Sequence, residues 1–316
     1  MEMLISVVIA CLIAVLPKLY MKLIIGVCKS NADLSGKTAI VTGANTGLGY
    51  ATALCFARRH ARVILACQNA EKAEKAVMKI QKTTGNQNIT YKVIDTSDLA
   101  SVRKFAQQII QEEKHLEILV NNAGIAGPFR RHTTKKNMEL TMATNYFGHF
   151  LLTNLLLDLL KKSSPSRIIN VSSSVHRWIK LDLSDLMLKN FYNMHKAYAS
   201  SKLAMVLFTK ELSKRLKDQG VSVYSVEPGT VRTDFFNKFP PVMSEIFRVI
   251  GVFYFRSPEE GAQTAVHCAV ADDVIGLSGH HFAECAIMED CAQAKDAGIA
   301  KKLWEQSEQI CGLNEN

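Results

Sequence analysis

Residues 38–49 read Thr-Ala-Ile-Val-Thr-Gly-Ala-Asn-Thr-Gly-Leu-Gly, a short apolar run followed by a turn rich in glycine. The run predicts a buried strand, and the apolar spacing from Leu48 to Arg59 predicts a helix that follows at once. Glycines at a strand-to-helix turn let backbone N–H groups approach a pyrophosphate at the positive end of the helix. Many turns hold glycines for conformational reasons alone, but this position between a strand and a helix favours a dinucleotide site.

Short apolar runs and segments of helical periodicity alternate along the rest of the chain. The predicted strands are Thr38–Thr42, Arg62–Ala66, Ile89–Ile94, Ile118–Val120, Arg167–Val171 and Val221–Val226, with a further one near His280–Phe282. The predicted helices are Leu48–Arg59, Ala70–Lys82, Leu99–Glu112, Met138–Lys161, Ala197–Lys217 and Pro258–Val270. Because this alternation implies parallel strands joined by right-handed crossovers, we predict an α/β fold with a Rossmann-type, doubly wound parallel sheet. No linker divides residues 35–316, which we expect to form a single domain.

The first 28 residues differ from the rest, because apolar runs cover residues 4–16 and 19–28 with few interruptions. The first run alone is shorter than the roughly 20 residues that cross a bilayer, but extension to about residue 25 reaches that length. Positive charge follows the first run, at Lys18, Lys22 and Lys29, which argues against a cleaved signal peptide and leaves the remaining chain on the cytoplasmic side. We therefore predict a membrane-anchor helix in residues 1–28. A hydrophobic helix packed on the domain is the alternative.

The chain carries a formal net charge of +9. Its lysines and arginines are spread along the sequence rather than grouped with aromatic residues, which argues against nucleic-acid binding. The eight cysteines form no CxxC pair, and no Cys/His cluster has the spacing of metal ligands. We therefore expect no metal site, and we expect reduced cysteines, with Cys55 and Cys67 in the core.

A second motif, Tyr-Ala-Ser-Ser-Lys at residues 198–202, falls in a predicted helix. Residues four apart lie on one face of a helix, so the phenol of Tyr198 and the ammonium group of Lys202 are neighbours. A phenol titrates near pH 10, and a neighbouring positive charge lowers its pKa towards the range useful for proton transfer. A tyrosine and a lysine four residues apart occur by chance in many helices, so this pair indicates a function only together with the glycine turn.

The two motifs, in this order and at this distance, resemble the short-chain dehydrogenase/reductase family over nearly all of residues 35–316. Further segments match where that family has them: Asn121-Asn122-Ala123-Gly124, Asn145, Val171-Ser172-Ser173 and Pro228-Gly229. The resemblance implies an enzyme that moves a hydride between a nicotinamide dinucleotide and an alcohol or carbonyl.

The same resemblance implies four catalytic roles. Tyr198 is the general acid–base, and Ser173 binds the reacting oxygen, although the adjacent Ser172 competes for that role. Lys202 lowers the tyrosine pKa and holds the ribose. Asn145 keeps a proton-relay water in place.

The residues that bind the dinucleotide also follow from the resemblance. They are Gly43, Asn45, Thr46, Gly47, Leu48, Gly49, Gln68, Asp95, Asn122, Ala123, Gly124, Tyr198, Lys202, Pro228, Gly229, Thr230 and Val231. Asp95 accepts from the adenine amino group in that family. The residue could equally cap the helix that starts near Ser97.

Within the family, the chain looks like the membrane-anchored retinol dehydrogenases. The segments that carry this likeness include Ala66-Cys67, residues 83–87, residues 148–153 and residues 261–264. The likeness implies NADPH-dependent reduction of retinal at the endoplasmic reticulum membrane, with the catalytic domain facing the cytoplasm. A steroid or lipid aldehyde stays open as the substrate, and a catalytically silent dinucleotide-binding sensor is an alternative of another class.

Three positions depart from that group. His60 stands in place of a glycine before the second strand, where we expect the left-handed backbone that histidine tolerates better than most residues. Gln68 stands in place of an arginine. Glu227 stands in place of a histidine, and we expect its side chain to be solvated.

Gln68 bears on the choice between NADP and NAD. An acidic residue near the end of the second strand would bind the ribose hydroxyls and exclude a 2′-phosphate. Residues 66–69 read Ala-Cys-Gln-Asn and contain no acid, and Asn45, Thr46 and Lys72 offer donors to a phosphate. We therefore expect NADP(H) as the cofactor, with NAD as the alternative.

Residues 230–257 have the least regular pattern and are rich in aromatic residues. Such a segment suits a lid over a long apolar ligand or a helix of the core, and apolar periodicity does not separate the two. His176, shortly after the catalytic serine, is a candidate for lining the substrate pocket together with Ser173. A lipophilic small molecule and the membrane are therefore the expected partners, and a homo-oligomer stays open.

Overall fold

A mostly parallel sheet of eight strands organises the computed structural model, which describes residues 25–232 and 255–313. The strands are β1 (Thr38–Thr42), β2 (Arg62–Cys67), β3 (Ile89–Val93), β4 (Ile118–Asn121), β5 (Ser166–Val171), β6 (Val221–Glu227), β7 (His281–Ala283) and β8 (Ala286–Met288). Their order is β3-β2-β1-β4-β5-β6-β7-β8, and only the β7–β8 pair is antiparallel. The winding reverses between β1 and β4, so a crevice opens there at the carboxyl ends of the strands.

Helices connect the strands and cover both faces of the sheet. The longer ones are α1 (Gly47–Ala57), α2 (Ala70–Thr84), α3 (Leu99–Glu112), α4 (Gly148–Lys162), α5 (Met194–Arg215), α6 (Gln263–Val270) and α7 (Ala297–Cys311). Short helical segments lie at Leu140–Met142, Ala143–Phe147 (a π-helix), Ser174–Trp178 (3₁₀), Pro258–Gly261 and Ala292–Lys295 (3₁₀).

The core lies on both faces because side chains alternate along each strand. Ile40 of β1 and Ile64 of β2 are fully buried on the face that α3, α4, α5 and α7 cover. Val41 and Val63, each one residue away, are buried on the opposite face with α1, α2 and α6. Burying each such side chain is worth roughly 1.5–3 kcal/mol. The predicted doubly wound α/β sheet in a single domain is thus confirmed.

Side-chain caps set where the site-bearing helix α5 begins. Oδ1 of Asn193 accepts from the backbone N–H groups of His195 and Lys196, at 2.8 and 3.3 Å. Such a cap contributes about 1 kcal/mol to a helix. It starts α5 one turn before Tyr198, so the Tyr198–Lys202 pair lies within a formed helix.

Two predicted helices are interrupted, and the predictions missed β8, α7 and the two short 3₁₀ segments. The segment expected as one helix, Met138–Lys161, contains the π-helix Ala143–Phe147 between two α-helical parts. The segment Pro258–Val270 divides at Ala262. Strand β8 is a short exposed strand without a clear sequence pattern. Helix α7 buries residues spaced three and four apart, a periodicity that the sequence does carry.

Two predictions concern residues beyond these ranges. The anchor in residues 1–28 falls almost wholly outside the described residues, and most of the aromatic segment 230–257 does so too. Among the helices of the two described ranges, none has both the length and the apolar character that crossing a bilayer requires.

Candidate active site

A cavity of about 900 Å³ opens at the carboxyl ends of the central strands. All the residues predicted to bind the dinucleotide line it, together with Ser173. A second cavity, of about 750 Å³, lies at the amino ends of β1, β4, β5 and β6 and is lined by none of the predicted site residues. Since ligands of open parallel sheets bind at the carboxyl ends, the first cavity is the candidate active site.

The glycine turn is shaped for close approach of a ligand to the backbone. Gly43 and Gly47 have φ angles of 66° and 56°, which glycine adopts without strain. A Cβ atom at Gly49 would lie 2.5 Å from the carbonyl oxygen of Gly43 and 2.5 Å from Nδ2 of Asn122. The side chain of Thr46 does not cap α1. The N-terminus of α1 therefore presents backbone donors to an anion.

A hydrogen-bond network ties this turn to β4. Oγ1 of Thr42 accepts from the backbone N–H groups of Asn122 and Ala123, at 2.8 and 2.9 Å. Nδ1 of His149 lies 3.0 Å from the carbonyl oxygen of Asn145, so Nδ1 carries the proton. Nε2 of His149 therefore accepts from Oγ1 of Thr42, at 2.9 Å. Burial lowers the pKa of His149 to about 4, which keeps the ring neutral and this pattern intact.

The roles of Thr42 and His149 in this network were not predicted. His149, in the first turn of α4, stands four residues after Asn145 of the preceding π-helix, and Thr42 is the last residue of β1. These positions were the only signals that the sequence offered.

Tyr198, Lys202 and Ser173 meet on the floor of the cavity. The phenol of Tyr198 is hydrogen-bonded to the side chain of Ser173. Nζ of Lys202 lies 5.6 Å from the centre of the Tyr198 ring and donates to the carbonyl oxygen of Val171 at 3.0 Å. Oγ of Ser172 instead donates to the backbone carbonyl of Lys202 at 2.9 Å and is buried. The hydroxyl next to the phenol is thus that of Ser173.

Burial has the largest effect on the pKa of both Tyr198 and Lys202. It raises the pKa of Tyr198 to about 12, although the hydrogen bond with Ser173 acts in the opposite direction. It lowers the pKa of Lys202 to about 8. The lowering that we expected from Lys202 is not among the effects that set the pKa of Tyr198 in the protein alone. The phenol keeps its proton at neutral pH.

Asn145 is buried behind this floor, inside the π-helix. Its Nδ2 donates to the carbonyl oxygen of Ile125 at 3.0 Å and to Oγ of Ser201 at 2.9 Å, and its Oδ1 accepts from the Ile125 N–H at 2.8 Å. A Cβ atom at Gly124 would lie 3.3 Å from Oδ1 of Asn145 and 3.6 Å from Nζ of Lys202. The side chains of Asn145 and Lys202 thus meet at Gly124.

At the adenosine end, Gln68 is held by Asp95. Nε2 of Gln68 donates to Oδ2 of Asp95 at 2.8 Å, and Oδ1 of Asp95 accepts from the N–H and the hydroxyl of Ser97. Asp95 does not cap α3, because that cap is Asp98. Lys72 also lines the cavity, in the first turn of α2.

The turn after β6 forms the other end of the cavity. Gly229 has a φ angle of 71°, and a Cβ atom there would lie 2.7 Å from Cζ of Arg256. The backbone N–H of Arg256 donates to the carbonyl oxygen of Thr230 at 2.9 Å. The chain therefore leaves this turn and returns beside it at residue 256.

Two of the three positions that depart from the resembled group, His60 and Glu227, lie in different environments. His60 has a φ angle of 66°, so the left-handed backbone that we predicted is confirmed. The prediction of a solvated Glu227 is wrong, because the residue is buried and its Oε2 pairs with Nη1 of Arg177 at 2.8 Å. Burial by itself raises the pKa of Glu227, but His281 and Arg177 outweigh that effect and hold the pKa below its usual value.

His176 does not line the cavity with Ser173. The side chain is fully buried, and its Nδ1 donates to the carbonyl oxygen of Ser173 at 2.7 Å. Residues that line the cavity without having been predicted include Leu140, Thr144, Trp178, Met194 and His195.

A glycine turn at the switch point of a doubly wound sheet, with a tyrosine, a serine and a lysine on the cavity floor, defines a dinucleotide-dependent oxidoreductase. The family model described as short chain dehydrogenase matches residues 37–242, and the chain belongs to that family.

The comparisons with individual proteins agree with this assignment. Human retinol dehydrogenase 11 is 45% identical over 300 residues, covering 94% of this chain and 92% of the relative. An uncharacterized protein of Mycobacterium paratuberculosis has a similar solved structure, with a TM-score of 0.72 and 31% identity, covering 91% of this chain and 98% of that one. A short-chain dehydrogenase of Shigella flexneri, complexed with NADP, has a TM-score of 0.64 and 25% identity, covering 81% of this chain and 100% of that one.

Proposed function

We propose that this oxidoreductase uses NADPH to reduce retinal to retinol. The observation that carries the chemistry is the phenol of Tyr198, hydrogen-bonded to Ser173 on the floor of the cavity with Lys202 beneath it. Two hydroxyl groups at one point can bind a single carbonyl oxygen, as general acid catalysis requires.

The cavity fits a nicotinamide dinucleotide. The N-terminus of α1 and the glycine turn would hold the pyrophosphate, since a Cβ atom at Gly49 would close the space between Gly43 and Asn122. Residues 228–231 and 122–124 would hold the nicotinamide end. When bound, the cofactor supplies the hydride that reduces the carbonyl carbon.

The protein's own residues hold the substrate and deliver the proton. The hydroxyl of Ser173 orients the carbonyl oxygen, and the phenol of Tyr198 donates its proton to that oxygen as the carbon is reduced. The ammonium group of Lys202 stabilises the phenolate that results. Asn145, next to Lys202, is placed to bind a water that returns a proton from solvent.

The state of the phenol supports the direction of reduction. Because burial raises the pKa of Tyr198 to about 12, the group is a proton donor at neutral pH. Reduction uses a protonated tyrosine, whereas oxidation begins from the phenolate.

The adenosine end supports NADPH over NADH. Residues 68 and 69, directly after β2, are glutamine and asparagine rather than acids, and Asp95 already accepts from Gln68 and from Ser97. Lys72 and Asn69 line this end, so a cation and an amide are available to a 2′-phosphate.

The retinoid assignment rests on relatives. The human relative that is 45% identical is named retinol dehydrogenase 11, and bovine retinol dehydrogenase 12 is 42% identical over 91% of this chain. Trp178 lines the cavity and is 79% exposed, so an apolar side chain lies at the mouth where a lipophilic substrate would enter. We propose that residues 1–28 anchor the enzyme in the endoplasmic reticulum membrane, with the catalytic domain in the cytoplasm. An added C-terminal glycosylation acceptor that is modified in microsomes would contradict this orientation.

Membranes bearing the full-length chain provide the test. We would supply all-trans-retinal with NADPH or NADH and measure retinol formed by wild type, Tyr198→Phe and Tyr91→Phe. Tyr91 is a partly buried tyrosine of β3 and serves as the matched control. We expect reduction with NADPH that Tyr198→Phe abolishes, with cofactor binding retained, and that Tyr91→Phe preserves.

The other outcomes separate the alternatives. NADPH binding without retinol formation, together with turnover of a steroid or lipid aldehyde, would contradict the retinoid assignment alone. Substantial activity in Tyr198→Phe would contradict the proposed acid.

A further inference from the structure

Three side chains with metal-ligand chemistry converge behind the loop that carries Ser173. They are His176 from the 3₁₀ turn Ser174–Trp178, Glu227 at the end of β6, and His281 at the start of β7. One ligand atom from each lies within 4.8 Å of the others. None of the three is among the residues that line the dinucleotide cavity.

The pairing of two strands explains this convergence. Ser225 of β6 pairs with His281 of β7, so their side chains lie on one face of the sheet. Glu227 is two residues beyond Ser225 and shares that face. The rings of His176 and His281 then pack edge to face, with 4.8 Å between their centres.

His176 has a buried nitrogen with an unused lone pair. Its Nδ1 donates to the carbonyl oxygen of Ser173 at 2.7 Å, so Nε2 carries no proton in the neutral ring. Within the described ranges, this buried Nε2 has no hydrogen-bond partner. A buried acceptor without a hydrogen-bond partner lowers the stability of the folded protein. A bound ion would give this nitrogen a partner.

Both histidines are held as metal ligands usually are. Nδ1 of His281 lies 2.9 Å from Oγ of Ser225, as Nδ1 of His176 lies beside the Ser173 carbonyl. Each ring thus uses Nδ1 for an outer partner and directs Nε2 inwards, where Nε2 of His281 lies 3.4 Å from Oε2 of Glu227. Metal-bound histidines have the same arrangement. The carboxylate of Glu227 is oriented by Nη1 of Arg177.

We propose that His176, Glu227 and His281 bind a divalent transition-metal ion of the Zn²⁺ type. Two imidazoles and one carboxylate are a ligand set of zinc sites that keep a fourth position open. Zinc–ligand distances of about 2.0–2.1 Å place neighbouring ligand atoms about 3.3 Å apart, so the widest separation of 4.8 Å would close by about 1.5 Å. Oε2 of Glu227 lies near both Nη1 of Arg177 and Nε2 of His281, so an ion bound by Oε2 would share that oxygen with Arg177. The positive charge of Arg177 weakens binding.

Such an ion would act on the catalytic loop. His176 holds the carbonyl of Ser173, so an ion that joins His176 to β6 and β7 shifts the loop that presents the catalytic hydroxyl. We therefore expect Zn²⁺ to change the rate of carbonyl reduction. This effect on the rate rests on the proposed function, whereas the metal site itself does not.

Cobalt titration of the full-length chain, purified in detergent and freed of metal with a chelator, tests the site. Visible absorption of bound Co²⁺ reports the geometry of its ligands, and Zn²⁺ is then added to displace it. The variants are His281→Ala, Glu227→Gln and Arg177→Gln, with His280→Ala as the matched control. His280 is the neighbouring residue and is exposed, and its Nδ1 lies 3.0 Å from the Leu277 carbonyl.

We expect one Co²⁺ per chain with the intense spectrum of a four- or five-coordinate site, and displacement by Zn²⁺. Affinity should fall at least tenfold in His281→Ala and in Glu227→Gln, stay unchanged in His280→Ala and rise in Arg177→Gln. Glu227→Gln preserves the side-chain shape, so it decides the matter if His281→Ala does not fold. The proposal would be overturned if the wild-type protein lacked that spectrum. It would also be overturned if His281→Ala and Glu227→Gln both kept the wild-type spectrum, and neither result depends on the enzyme's activity.

Discussion

Thr42→Val removes a hydroxyl group that joins the glycine turn to β4 and to α4. The hydroxyl oxygen accepts from two backbone N–H groups, of Asn122 and Ala123, and its proton is donated to Nε2 of His149. Valine has nearly the same shape, so the substitution leaves these three groups without a partner and creates no cavity. An unsatisfied buried polar group costs about 1–3 kcal/mol.

The size of the loss in stability depends on how well water can reach the three groups that lose a hydrogen bond. His149 is fully buried, whereas Asn122 and Ala123 are partly exposed beside the cavity, where water can replace part of each lost hydrogen bond. Taking the lower end of the range for each group, we expect the free energy of unfolding to fall by about 3 kcal/mol. NADPH affinity should fall as well, because residues 122–124 line the cavity.

Urea unfolding of the full-length chain, followed by the fluorescence of the buried Trp304, measures this loss. Thr42→Ser keeps the hydroxyl. Thr52→Val is a second control. The buried Thr52 hydroxyl donates to the carbonyl of Leu48, so removing this hydroxyl leaves no donor unpaired. We expect both controls to stay within about 1 kcal/mol of wild type. A Thr42→Val protein as stable as Thr52→Val would refute the reasoning, and a Thr42→Ser protein as unstable as Thr42→Val would transfer the effect to the lost methyl group.

Three further predictions concern catalysis and cofactor choice. Burial lowers the pKa of Lys202 to about 8, so kcat/KM for carbonyl reduction should fall as the pH rises through about 8 and the ammonium group is lost; a flat pH profile there would contradict this role. Gln68→Arg should raise the NADPH-to-NADH ratio of kcat/KM about tenfold and Lys72→Ala should lower it, and ratios that do not move would remove both residues from the 2′-phosphate site. Gly49→Ala brings a Cβ atom within 2.5 Å of a backbone oxygen in the glycine turn, so NADPH binding in a fluorescence titration should be lost. Gly298→Ala, whose Cβ atom would meet only a side-chain oxygen at 3.1 Å, should bind normally.

The order of strands and helices was predictable because it depends on local patterns. The predicted helix Leu99–Glu112 has the same ends in the structure, and the predicted strand Thr38–Thr42 does too. The spacing of apolar residues along the chain indicates which side chains are buried on folding, and those side chains are buried in the structure. The glycine turn and the Tyr198–Lys202 pair were visible for the same reason, since each is a short segment.

The environment of each site residue was less predictable. Glu227 was expected to be solvated, but β6 carries it into the protein, where Arg177 comes from a loop 50 residues earlier in the chain. Lys202 was expected to lower the pKa of Tyr198, but burial of the phenol raises that pKa and only the hydrogen bond with Ser173 opposes it. Neither result could be derived from neighbours in sequence, because charge partners and burial come from elements that are distant along the chain.

The sequence by itself thus determined the fold class, the glycine turn and the positions of the side chains that we propose to be catalytic. These features depend on periodicity and on spacings of a few residues, which a linear chain expresses directly. The tertiary structure alone decided that Thr42 and His149 brace the turn, and that His176, Glu227 and His281 converge. Each of these contacts joins residues brought together by sheet order and helix packing, and their energies depend on burial that no local segment controls.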